Sequence, residues 1–174
     1  MKTSILKIII LIFVIFFLSV FWRALKINNN YDTKNLVGSK ISNFQLNDIN
    51  SGAQYISEKN LKKNKYTLIN FFASWCAPCR AEHKYLLNLS NENLEIKIIG
   101  INFKDKKINA TNFLEELGNP YDFVGKDIDG KVSILFGIYG IPESILVNND
   151  LTIIKKIIGP IDQIKYNDIL KLIK

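Results

Sequence analysis

Cys76 and Cys79 are the only cysteines in a chain of 174 residues, and they stand three apart in the run Trp75, Cys76, Ala77, Pro78, Cys79. Two thiols at that spacing can interconvert between a dithiol and a disulfide, and can pass the change on to a disulfide of another protein. A purely structural disulfide would close a very small loop and so stabilise the fold little. A zinc site with four cysteine ligands is impossible within one chain. Covalent haem attachment through Cys-x-x-Cys-His needs a histidine at position 80, where Arg80 stands. A copper site built from Cys76, Cys79 and His83, the one histidine, remains open as an alternative, because copper needs fewer ligands.

Reactivity depends on where the pair sits. Tyr66 to Ala73 reads as a short, apolar, aromatic-rich buried strand, and it runs directly into the cysteines. Pro78 suits the first turn of a helix, and Ala81, Tyr85, Leu86 and Leu89 recur at helical spacing through Ser90. Cys76 is thus expected at a helix N-terminus, where unpaired amides and the positive dipole end favour a thiolate and lower its pKa below the free-thiol value of ~8.5. Cys76 would attack a partner's disulfide, and Cys79, deeper in the helix, would resolve the mixed disulfide. Pro78 would fix the turn and tune the redox balance. Glu82, one turn after Cys79, is the candidate to move protons to and from it. Proline before a strand, in Ile141-Pro142-Glu143, is expected to form a cis peptide bond beside Cys76, leaving neighbouring backbone free to pair with an extended substrate and keeping metal off the dithiol. Glu143, like Glu82, is expected at the active-site groove.

Other elements must position these residues. Leu94 to Phe103 reads as a second buried strand, Ile108 to Leu117 as a helix stopped by Gly118 and Pro120, and Ser144 to Val147 with Thr152 to Ile158 as an antiparallel hairpin. A closing helix follows from about Ile161 to Ile173. Strand, helix, strand, then hairpin, then helix predicts an α/β domain of the thioredoxin-like type, a central mixed sheet flanked by helices. Residues 27–40 are polar and aperiodic, as expected of a tether, which leaves 41–174 for the domain. At the amino end, Ile8 to Trp22 holds fifteen residues with Ser19 alone polar. A transmembrane helix over about 5–22, within a signal anchor at 1–26, is expected, and Val20, Phe21 and Trp22 are too bulky for a small-residue cleavage site. The net charge of +7 has more than half its excess in Lys2, Lys7, Arg23 and Lys26, so it does not point to nucleic acid. Those cations flank the hydrophobic run on both sides, so charge alone fixes its orientation poorly.

The motifs taken together resemble the membrane-anchored thiol:disulfide interchange proteins of cytochrome c biogenesis, the CcmG/DsbE type. The matching residues are Trp75 to Cys79 with Arg80, Ala81, Glu82 and His83; Asn102 to Asp105; Gly118 to Tyr121; and Gly137, Ile138, Tyr139, Gly140, Ile141, Pro142, Glu143. The Gly-x-Tyr-Gly-x-Pro-Glu run is far more specific than the cysteine motif. The resemblance implies a single-pass inner-membrane anchor, a periplasmic domain, and an acidic groove formed in part by Glu82 and Glu143. It implies catalysis by Cys76, Cys79 and Glu82, with Trp75, Ala77, Pro78, Tyr139, Ile141, Pro142 and Glu143 forming the substrate groove. It implies no cofactor beyond the redox-active Cys76–Cys79 disulfide. Apocytochrome c, or a thiol-holding maturation partner, would be reduced before haem attachment, and a transmembrane thiol electron donor would restore the dithiol. Asn70 departs from the buried Asp of thioredoxins, which shifts the proton role toward Glu82. A general periplasmic reductase or oxidase is the alternative enzyme.

Overall fold

The computed structural model describes residues 2–26, 36–51, 54–92 and 95–173. It divides into two units, Met1–Asp32 and Thr33–Lys174. The first contains α1 (Lys2–Lys26). Within it Ile5–Arg23, nineteen residues of mean hydropathy 2.9 with none of them buried, is long and apolar enough to cross a membrane. Of the expected tether, 27–35 lies outside the described residues. Its last part, 36–40, is hydrogen-bonded into the second unit, with the Gly38 amide donating to the Ile153 carbonyl at 2.8 Å.

The second unit runs β1 (Gln45–Asn47), β2 (Tyr55–Ser57), α2 (Glu58–Leu61), β3 (Tyr66–Phe72), α3 (Ala77–Asn91), β4 (Ile96–Phe103), α4 (Lys107–Leu117), β5 (Phe123–Asp127), α5 (Lys131–Leu135), β6 (Glu143–Asn148), β7 (Ile153–Ile158) and α6 (Gln163–Ile173). The main sheet has the order β5-β4-β3-β6-β7, and β1 pairs with β2 in a separate two-stranded sheet. β3, β4 and β5 are parallel, whereas β6 is antiparallel to both β3 and β7. This is the expected thioredoxin-like mixed sheet. β3 is apolar almost throughout because helices or loops cover both its faces. Leu68, Phe72, Ile98, Leu146 and Ile157 form one core with α3, α4 and α6. Ile69, Phe71, Ile99, Ile101 and Ile145 form another with Phe44, Leu46, Leu61 and Phe136.

Two glimpses of packing bear on the site. The rings of Phe72 and Tyr121 stack at 4.9 Å, an arrangement that contributes roughly 0.5–1.5 kcal/mol beyond burial. Gly100 of β4 lies beneath that stack, where a Cβ would come within 2.9 Å of both rings. β1, β2, α2, β5 and α5 were not expected from the sequence. Each is five residues or fewer, too short to express a hydrophobic period.

Candidate active site

β3 ends at Phe72, and a tight turn carries the chain into α3. The Cys76 amide donates to the Ala73 carbonyl at 3.2 Å. The carboxylate of Asp105, from the loop after β4, accepts from the Ser74 amide at 2.7 Å and from the Ser74 hydroxyl at 3.0 Å. It also accepts from Asn102 Nδ2 at 3.1 Å and from the Lys106 amide at 2.8 Å. One side chain thus ties the turn before the cysteines to the neighbouring strand. Sequence reading noted Asp105 only as part of a matching run and gave it no role. An acid between two strands' loops carries no signal until topology makes those loops neighbours.

Cys76 is the N-cap of α3, and its Sγ accepts from the Cys79 amide at 3.1 Å. Pro78 lies in the first turn, as expected. Cys76 and Cys79 are bonded at an S–S distance of 2.00 Å with Cα atoms 5.3 Å apart, so this is the oxidised form. Both are buried, Cys76 at 4% exposure and Cys79 at 2%, so the expected contrast in accessibility between them is small in this form. Beside them in the chain Ala77 and Pro78 are exposed and Trp75 is 60% exposed, and Tyr139, in the segment leading to Pro142, is 69% exposed. The indole N–H of Trp75 donates to the Lys104 carbonyl at 3.3 Å. A cleft of about 440 Å³ opens beside it, lined by Trp75, Lys104, Asp105, Lys106, Asn109 and Ile128.

Ile141–Pro142 is cis, as expected. Because Phe71 of β3 stands opposite Glu143 of β6, residues 141 and 142 fall at the same end of the sheet as Cys76. Ile141 packs against the cluster that contains both cysteines.

The two carboxylates do not line an open groove, contrary to expectation. Glu82 is 1% exposed and Glu143 3%. The buried stripe of α3 is Cys79, Glu82, His83, Leu86 and Leu89, while Ala81, counted toward the apolar face, is exposed. Glu82 Oε1 accepts from Asn70 Nδ2 at 2.8 Å and Oε2 from the Ile161 amide at 2.7 Å. Asn70 Nδ2 also donates to Ser144 Oγ at 2.9 Å, and its Oδ1 accepts from the Tyr121 hydroxyl at 2.8 Å. Burial pushes the Glu82 carboxyl up to about 7, against the opposing pull of the Ile161 and Asn70 hydrogen bonds. Burial, reinforced by the Glu82 charge, raises the Tyr121 phenol well above its ordinary value. The result is one buried acid that titrates near neutrality, one turn beyond Cys79.

Glu143 is engaged differently. Its Oε1 accepts from the amides of Tyr139 at 3.1 Å and Gly140 at 3.2 Å. Its Oε2 is 3.1 Å from Lys156 Nζ, an ion pair whose angles are not those of a hydrogen bond. Lys156 had no place in the sequence reading.

His83 does not turn toward the sulfurs as a ligand. Its Nε2 donates to the Gly118 carbonyl at 2.8 Å, its ring meets Phe113 edge-on at 5.1 Å, and burial lowers its pKa. Among the described residues no group of three or more His, Cys, Asp or Glu side chains is placed to hold a metal ion.

Residues 36–173 match the family model described as Redoxin. The chain is 34% identical over 154 residues to the thiol:disulfide interchange protein DsbE of Escherichia coli (strain K12), covering 86% of this chain and 82% of that one. It is 53% identical over 98 residues to the thiol:disulfide interchange protein CycY of Rhizobium leguminosarum bv. viciae, a stretch that spans about half of each chain, 56% and 52%. Its fold resembles the crystal structure of a DsbE thiol:disulfide interchange protein from Chlorobium tepidum, with a TM-score of 0.68 at 22% identity, over 79% of this chain and 98% of that one.

Proposed function

The chain belongs to the Redoxin family, among the thiol:disulfide interchange proteins of the DsbE type, and from that membership we propose that it reduces the disulfide of apocytochrome c, or of a thiol-holding maturation partner, before haem attachment. The observation that carries the reading is the Cys76–Cys79 pair capping α3 with a buried, near-neutral acid one turn on. In the reduced form the Cys79 amide and the N-terminus of α3 favour the Cys76 thiolate. That thiolate attacks one sulfur of the substrate disulfide, forming a Cys76–substrate bond and releasing the other substrate sulfur, which takes a proton from water. Cys79 then gives its proton to the Glu82 carboxylate and attacks Cys76 Sγ. The intramolecular disulfide forms and the second substrate thiol leaves, so the substrate gains two electrons and the Cys76–Cys79 pair loses them.

Trp75, Ala77, Pro78, Tyr139 and Ile141 form the rim that meets the substrate, with backbone near Pro142 pairing with an extended segment. Glu143 acts from beneath. Re-reduction falls to a transmembrane thiol donor, and no redox group beyond the cysteine pair is needed. α1 would hold the chain in a bacterial inner membrane by a single pass, with the domain in the periplasm.

The test is to trap the first step. In Cys79→Ser the mixed disulfide cannot resolve, so partners bonded to Cys76 accumulate for identification by mass spectrometry in the native host. Apocytochrome c or its thiol-holding partner is the expected adduct. A broad set of exported proteins would make this a general exchange enzyme, and no adduct at all would overturn the reductase reading.

A further inference from the structure

One ion pair in the domain stands apart from the others. The side chains of Lys156 and Glu143 are 2% and 3% exposed, whereas every other ion pair among the described residues is at least 30% exposed at both side chains. A buried pair of this kind seldom adds stability over an apolar replacement, because desolvation of both charges offsets their attraction. What it does here is structural in a specific sense. Glu143 Oε1 takes the amides of Tyr139 and Gly140, while Lys156 Nζ donates to the Gly137 carbonyl and lies 5.5 Å from the centre of the Tyr139 ring. Three backbone groups and one ring of the segment leading into Ile141–Pro142 are therefore bound by a single charge pair.

The pair is in turn anchored to the cysteines' own strand. Glu143 stands opposite Phe71 of β3, whose chain reaches Cys76 five residues later, and Lys156 stands opposite Ile145 of β6. We propose that Lys156, through Glu143, is the positioning residue that fixes the 137–141 segment, and so sets the height and orientation at which the backbone near Pro142 pairs with the substrate chain beside Cys76. This rests on the reading above that residues near Pro142 receive an extended disulfide-bearing segment. Glu143 Oε2 has no hydrogen bond, and among the described residues Lys156 is the cation paired with it. Without that charge, Glu143 is left buried and unpaired, and its hold on the Tyr139 and Gly140 amides is weakened.

The experiment compares the full chain with Lys156→Met and Lys156→Arg, using a synthetic peptide closed by a Cys-x-x-Cys-His disulfide as substrate. Lys156→Met should raise KM for the peptide about 10-fold with kcat within about 2-fold. Reduction of the Cys76–Cys79 disulfide by dithiothreitol, which does not use the segment, should stay within about 2-fold. Hydrogen exchange at the Tyr139 and Gly140 amides should quicken about 10-fold, while exchange in the β3 core is unchanged. Lys156→Arg, which keeps the charge, should restore KM. An unchanged KM in folded Lys156→Met overturns the proposal, as does a loss shared equally by peptide and dithiothreitol without faster exchange at 139 and 140. Should Lys156→Met fail to fold, Lys156→Met with Glu143→Gln removes the unpaired charge. That double variant should fold with KM raised about 3-fold, because the Gly137 carbonyl is still untied, and a wild-type KM there also overturns the idea. A wild-type chain that does not react with the peptide would sink the functional reading instead, and the exchange rates at 139 and 140 would then decide the positioning role by themselves.

Discussion

Glu82 combines two demands that pull against each other: it is enclosed like a core residue, yet it must change charge. The Asn70 amide and the Ile161 N–H make the carboxylate tolerable, and burial more than outweighs them, leaving the group to titrate at about 7. Linkage follows from the direction of the shift. Between about 4.5 and 7 the folded chain holds a proton that the unfolded chain has released, so stability falls as pH rises through that window, by roughly 3 kcal/mol in all. Glu82→Gln removes that slope. Gln offers one carbonyl where Glu offers two oxygens, so one donor loses its acceptor and the variant should be less stable at pH 5 by roughly 1–2 kcal/mol. Thermal denaturation of the oxidised proteins should show the two converging or crossing by pH 8, and parallel curves would mean Glu82 does not titrate in this range. The same variant should lose the inflection near neutrality in the pH profile of disulfide exchange.

Legibility at this scale was uneven for physical reasons. The cysteines and Pro142 announce themselves because few environments want a Cys-x-x-Cys or a proline before a strand. Glu82 was recognisable by its spacing from Cys79, but not as buried, since a helical glutamate ordinarily faces water. Glu143 was misplaced at the groove because its partner was invisible. Lys155 and Lys156 are adjacent, and only the register of β7, with its irregularity at Leu146 and Val147, decides which turns inward. Lys155 pairs with Asp168 of α6 at 2.9 Å, and Lys156 takes the opposite face.

Among the elements, the strand, turn and helix around the cysteines were readable because β3 and α3 are long enough to show their periods. The loop from β4 that holds the turn was not. Asp105 satisfies four donors, two of them on Ser74, and so couples the 74–76 turn directly to the end of β4. Asp105→Ala should cost roughly 2–3 kcal/mol, because three partly buried donors and the exposed Lys106 amide lose a charged acceptor at once. The loss should be local in its chemistry as well: alkylation of Cys76 in the reduced protein should change its rate, whereas Asp168→Ala, which breaks an outer ion pair on α6, should leave it alone. If the two variants behave alike, Asp105 is only a fold residue. The short elements β1, β2, α2 and α5 escape a sequence reading for the opposite reason. They are held chiefly by what they cover, as Leu46 and Leu61 are by the cluster that contains Phe71 and Ile99, with α2 adding a capping box between Ser57 and Asn60.

Over the whole molecule the question is on which side of a membrane the cysteines work. Large apolar side chains of Ile5–Arg23 are exposed all round the helix, from Val14 at 45% to Phe13 at 66%. Such a surface is stable against lipid and not against water. Cations at both ends leave the orientation to be measured, and the chain supplies its own probe, since Cys76 and Cys79 are its only thiols. A reductase working where disulfides persist must have them outside the cytosol. Intact bacterial spheroplasts carrying the full chain, reduced and then treated with a membrane-impermeant maleimide, should label the protein fully. The label should vanish in the Cys76→Ser, Cys79→Ser double variant, and the protein should stay with the membrane through alkaline carbonate washing. Labelling that appears only after lysis would place the domain in the cytosol. There thiol pools already keep cysteines reduced, and a dedicated reductant for cytochrome thiols would have no disulfide to open.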